Sequence, residues 1–134
     1  MLTIAISFPG NCNEAISFYK EALGAEVKGI YHFKDAPENH GMDPSLPPDY
    51  VMHSEIVIEG SEMAMTDGVE KAPTGDNFSF MITKETEDEV TAIYNKLSEG
   101  GKVIEPLATT YWWASLYGSV EDRFGVHWAI MKSD

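Results

Sequence analysis

The strongest constraint on this chain is that it writes one structural sentence twice. Phe18-Tyr19-Lys20-Glu21-Ala22-Leu23-Gly24-Ala25-Glu26-Val27 reads as a helix end, a glycine stop and the start of a strand. Ile93-Tyr94-Asn95-Lys96-Leu97-Ser98-Glu99-Gly100-Gly101-Lys102-Val103 reads the same way 75 residues later, counted from Phe18 to Ile93. Strand-like runs precede and follow each copy. Two similar half-domains commonly pack about a pseudo-twofold axis, and the space between them is the natural place for a cavity.

The runs between these anchors give the order βαβββ, then βαβββ. Residues 2–8 (LTIAISF) are β-branched and aromatic and stop at Pro9-Gly10. Asn11 or Asn13 is placed to cap the helix that carries Ala15, Phe18, Tyr19, Ala22 and Leu23 on one face. A strand over 26–33 follows. The stretch 35–50 holds four of the seven prolines and no periodicity, so it reads as a long loop, either a lid or disordered. Residues 51–59 alternate, with Ile56 and Ile58 on one face and His53, Glu55, Val57 and Glu59 on the other; Gly60-Ser61 turns into a returning strand with Met63 and Met65 in the core. The second half opens with a strand over 77–83, with Phe78 and Phe80 on one face. Thr86-x-x-Glu89 forms a capping box ahead of Val90, Ile93, Tyr94 and Leu97. A short strand over 102–104 ends before Pro106, and a hairpin over 114–120 and 126–131 turns at Asp122-Arg123-Phe124-Gly125. Two amphipathic helices against eight strands predict an α+β chain of 134 residues: one domain of two modules, about 1–67 and 76–134.

Composition narrows function mainly by exclusion. Nine Lys and Arg against 22 Asp and Glu leave a net charge of −13, which argues against nucleic acid and against an anionic membrane surface as partners. The single cysteine, Cys12, permits no intramolecular disulfide and has no basic neighbour in sequence to activate it. No apolar run approaches the roughly 20 residues that span a bilayer, and the expectation is a cytoplasmic protein. A nucleotide-type glycine-rich loop, a Gly-x-Ser-x-Gly elbow and a Cys-x-x-Cys pair are all missing from the sequence.

Particular words of the sequence resemble the vicinal oxygen chelate superfamily, which includes glyoxalase I, bleomycin- and fosfomycin-resistance proteins and extradiol dioxygenases, and within it the PhnB-like branch. The matching residues are Ile6 through Ala15 running into Phe18-Tyr19 and Gly24-Ala25; His53-Ser54-Glu55-Ile56, Ile58-Glu59-Gly60-Ser61 and Met65-Thr66-Asp67; and Tyr117-Gly118 with Asp122-Arg123-Phe124-Gly125-Val126-His127-Trp128. The resemblance implies paired βαβββ modules forming a cup-shaped curved mixed sheet with helices outside, and a homodimer. It also implies a divalent metal held by His, Gln or Glu on the first, fifth and eighth strands. Those positions here carry Thr3, Ile4 and Ala5; Asn77, Phe78 and Ser79; and Ala129. None is an imidazole or a carboxylate, so the metal triad of the family is missing and no cofactor is expected.

The candidate site follows from these readings. The first hypothesis is a metal-free small-molecule-binding protein whose apolar cup is lined by Phe78, Phe80, Trp112, Trp113 and Tyr117, with His53, Glu55 and His127 as orienting polar groups. A planar or partly apolar cation would suit the acidic chain. The second is a metal-dependent lyase, isomerase or dioxygenase-type enzyme with a non-standard site at His53, Glu55 and His127. No catalytic residue is assigned.

Overall fold

A computed structural model describes residues 1–36, 46–68, 75 and 77–134. It divides into two compact units, Met1–Pro73 and Thr74–Asp134. The centre of the 35–50 loop expected above and most of the segment joining the units lie outside the described residues.

In the first unit, β1 (Ile4–Phe8), β2 (Glu26–His32), β3 (Val51–Ile58) and β4 (Ser61–Asp67) form a mixed sheet in the order β1-β4-β3-β2, parallel at β1/β4 and antiparallel elsewhere. Helix α1 (Cys12–Leu23) packs on β3 and β4. Its buried stripe of Ala15, Ile16, Phe18, Tyr19, Ala22 and Leu23 meets Ile6, Phe8, Ile56, Met63 and Met65 from the sheet. Each Ile, Leu, Phe or Met among them that is fully removed from water is worth about 1.5–3 kcal/mol, and each alanine methyl less. Gly24 ends the helix at φ 62°, donating to the Lys20 carbonyl, while Ala25 donates to that of Tyr19. This double closure needs a left-handed residue. The β3–β4 turn falls on Glu59 and Gly60, at φ 50° and 78°, one residue earlier than expected. Two successive positive φ values suit a two-residue hairpin turn.

The second unit repeats the plan. Strands β5 (Phe80–Lys84), β6 (Lys102–Ala108), β7 (Tyr117–Glu121) and β8 (His127–Lys132) order as β5-β8-β7-β6, with β5/β8 parallel. Helix α2 (Glu87–Ser98) lies across the sheet, burying Val90, Ile93, Tyr94 and Leu97 against Ile82, Val120, Trp128 and Ile130. Gly118 lets the helix come this close: a Cβ there would sit 2.7 Å from the Tyr94 ring and 3.0 Å from Leu107 Cα.

Two expectations need correction. The strand expected to stop before Pro106 runs through it to Ala108. Proline is tolerated because β6 is an edge strand, and register shifts between Val103 and Glu105 and between Glu105 and Ala108 absorb it. Strand β5 begins at Phe80, so Asn77, Phe78 and Ser79 precede it.

Candidate functional site

In each unit one face of the sheet is covered by its helix and the other is not. On the first sheet the uncovered face carries His53, Glu55 and Val57 from β3 beside Glu62 and Ala64 from β4, around a recess of about 300 Å³ that Thr3 and Lys28 also line. His53 Nε2 stands 3.7 Å from Glu55 Oε1, and the Tyr31 ring stacks over His53 at 6.2 Å between centroids. These side chains are 46% and 62% exposed, so water screens the pair and its worth is about 0–1 kcal/mol.

The uncovered face of the second sheet is built differently. The register sets Glu105 opposite Ser119, Ser119 opposite Ala129, and Glu121 opposite His127. Tyr117 Oη and Ser119 Oγ both donate to Glu105 Oε1, each at 2.9 Å. His127 Nε2 lies 3.1 Å from Glu121 Oε1. Burial, and then the Glu105 carboxylate it donates to, push the Tyr117 phenol above its ordinary value, so Tyr117 stays a donor at neutral pH. Beside this network the rings of Tyr111, Trp113 and Tyr117 form a closed triangle, with centroids 5.1, 5.2 and 5.5 Å apart. Tyr111 Oη is tied to the Pro106 carbonyl at 2.9 Å. The recess in front, about 200 Å³, is lined by Phe78, Ile104, Glu105, Tyr117, Ser119 and His127 among others.

Of the expected ligand-contacting residues, His53 and Glu55 meet on the first sheet, and Tyr117, His127 and Phe78 border the recess of the second. Trp113 reaches that group through Tyr117, whereas Trp112 is 91% exposed and touches Trp113 edge-on at 6.0 Å. Phe80 departs from the expected cup face. It pairs with Trp128, shares the helix-covered face, and packs on that indole at 5.3 Å. Phe78 and Phe80 therefore do not line one strand face, because the strand starts only at Phe80. Glu105, Ser119 and Glu121 were missed. The period-two run Tyr117, Ser119, Glu121 was the available signal.

Two buried carboxylates are structural. Asp67 accepts from the backbone N–H of Gly10, Cys12 and Val51 at 2.9–3.0 Å. Asp122 accepts from Phe124 N, Val126 N and Trp128 Nε1, in keeping with its reading as a turn residue.

The residues do not fit the metal that the superfamily resemblance implies. At the three positions the strongest donors are the Thr3 and Ser79 hydroxyls and the Asn77 amide, and Ala129 puts a methyl between Ser119 and Met81. Among the described residues no three His, Cys, Asp or Glu side chains gather into a group able to hold an ion.

Residues 1–131 match the model of the family described as 3-demethylubiquinone-9 3-methyltransferase. The chain belongs to this family. It is 29% identical over 133 residues to protein YjdN of Escherichia coli K12, covering 93% of this chain and 90% of YjdN. The solved structure of a PhnB protein from Bacillus cereus superposes with a TM-score of 0.80 at 25% identity, covering 98% of both chains. The fosfomycin resistance protein FosX of Listeria monocytogenes, solved with manganese and a dihydroxypropylphosphonic acid, shares the fold at a TM-score of 0.70 and 10% identity, covering 100% of this chain and 92% of that one. The PhnB-like branch of the vicinal oxygen chelate superfamily, first suggested by the sequence words, is thus its family. Among the described residues no helix is long and apolar enough to cross a membrane.

Proposed function

We propose that this PhnB-like protein binds a small molecule on its uncovered sheet faces without a resident metal, by sequestration rather than bond cleavage. The observation that carries this reading is the second sheet's recess, where a hydroxyl-bound carboxylate lies beside aromatic and aliphatic walls. Fixed polar groups beside an apolar wall are what orients a small organic ligand in a shallow recess. Phe78, Tyr117 and His127 contact the ligand in the second sheet's recess, Trp113 backs Tyr117 and the exposed Trp112 flanks it, while His53 and Glu55 offer polar contacts at the first unit's own recess. Phe80 acts at one remove by supporting Trp128. The superfamily resemblance supports two βαβββ modules acting as a single domain in a cytoplasmic homodimer.

The enzyme reading, with metal at His53, Glu55 and His127, has no observation in its favour. The test is a thermal-shift titration with zinc, manganese, iron and nickel ions beside a library of small aromatic compounds. A bound ligand at 100 times its Kd stabilises by about 2.7 kcal/mol. Shifts with compounds that weaken in Tyr117→Ala or His127→Ala support binding. Stoichiometric metal lost in His53→Ala or His127→Ala would replace this reading with the enzyme one.

A further inference from the structure

Glu105 differs from the other sequestered carboxylates. Asp67 and Asp122 each satisfy three N–H donors, and Glu121 faces His127. Glu105 is half-buried, and both of its donors, Tyr117 Oη and Ser119 Oγ, converge on the same oxygen, Oε1. They fix the carboxylate in place, while Oε2 has no donor among the described residues. Among the described residues no Lys or Arg lines the recess; its other walls include Phe78, Ile104 and His127.

Covering this carboxylate with a ligand has a predictable electrostatic cost. A body without donors would strip water from Oε2 without replacing the lost hydrogen bonds, and a neutral hydroxyl would replace one but leave the charge uncompensated. A phosphate or carboxylate head group would set like charges together. A protonated amine answers both problems, because it brings N–H donors and a compensating charge to an acceptor already oriented. The exposed ring of Phe78 offers a wall for a flat body and a face for a cation, with the buried Tyr117 at the lining of the recess. A chain of net charge −13 also concentrates cations around itself.

Resting on the binding reading above, we propose that the recess of the second sheet recognises organic ammonium compounds with a flat apolar body, the ammonium group donating to Glu105 Oε2 and the body lying against Phe78 and Tyr117.

The test uses three probes that share a ring system and differ in head group: naphthylmethylammonium, naphthylmethanol and naphthoate. Each is titrated into the full-length protein and followed by backbone amide NMR. The ammonium probe should move the amides of Glu105, Tyr117 and Ser119 and bind about tenfold or more tighter than the alcohol, with naphthoate weakest. Glu105→Gln keeps the size of the side chain and an oxygen for the two hydroxyls. It should erase the preference for the cation, bringing the ammonium probe to within about twofold of the alcohol. Should Glu105→Gln fail to fold, the wild-type salt series decides: the cation's advantage should shrink from low to high salt while the alcohol's affinity stays flat. Binding without a charge preference, or a preference that survives Glu105→Gln, overturns the ammonium proposal and leaves the binding reading standing. A second unit that responds to none of the three probes overturns both.

Discussion

The two helices start in opposite ways. Helix α2 is capped from within: Thr86 Oγ1 accepts from Glu89 N at 3.1 Å and donates to the Glu89 side chain at 3.0 Å. Helix α1 is capped from a distance. Asn11, at the corresponding position, makes no side-chain bond to the helix, and Asp67, 55 residues away in sequence from Cys12, accepts from the Gly10 and Cys12 N–H groups with one oxygen. Its other oxygen takes the Val51 N–H, so a single carboxylate joins the turn after β1, the start of α1, the start of β3 and the end of β4. A local cap stabilises one helix. A distant cap makes helix and sheet depend on each other, and it puts the negative charge at the positive end of the helix dipole.

The largest effect should therefore come from Asp67→Ala. It strands three N–H groups around a buried site, and the loss should be at least about 3 kcal/mol. Thermal unfolding should start on the order of 10 °C lower. Asp67→Asn should recover only part of this, because an amide cannot accept at both ends. A loss below about 1 kcal/mol in Asp67→Ala would show that α1 does not rely on its distant cap.

This asymmetry also marks what was legible in the sequence. Helix periodicities, the Gly24 stop, the Thr86 box and the alternation of His53 and Glu55 against Ile56 and Ile58 are local patterns, and each was readable within a dozen residues. The Asp67 cap was not, because nothing near residue 67 points to residue 12. The same reason hid the polar network of the second sheet. Tyr117 and His127 were picked out as an aromatic and a titratable side chain. Glu105, the partner of Tyr117, lay beyond the point where Pro106 was expected to end a strand, and only inter-strand register sets it opposite Ser119. Phe80 went astray similarly: its face depends on where β5 begins and on pairing with Trp128.

Cys12, the first residue of α1, sharpens the comparison through pH. Burial, and then the Asp67 charge beside it, push the thiol from 9.0 to about 12. The folded protein holds this proton more tightly than the unfolded chain does, so the stability involved is fully present below pH 9 and is lost as pH rises toward 12. At about pH 10.5 the loss should be on the order of 2 kcal/mol. Chemical denaturation at several pH values should show a shallower alkaline decline in Cys12→Ala than in the wild type. Thiol reagents at neutral pH should label Cys12 only after unfolding. Native-state labelling at the rate of a free thiol would mean that the start of α1 opens readily.

Smaller again is the local cap. Thr86→Ala should lose about 1 kcal/mol, the usual worth of a side-chain N-cap. Thr86→Ser should restore most of it, since the hydroxyl that serves both Glu89 bonds is retained.

The smallest effect is expected at the position where a capping residue looks most plausible in sequence. Asn11 precedes α1 as Thr86 precedes α2, yet its Oδ1 is buried and has no hydrogen-bond partner among the described residues. A buried acceptor left unpaired is a cost to the folded state, so removing it in Asn11→Ala should leave stability unchanged or raise it by up to about 1 kcal/mol. Urea titrations of Asn11→Ala and Thr86→Ala under one set of conditions make the contrast direct, because the two residues hold the same place relative to their helices. Equal losses would mean that Asn11 caps α1 in solution after all and that Asp67 supplements it. Opposite signs would establish that one βαβββ plan, repeated within one chain, starts its two helices by different physics.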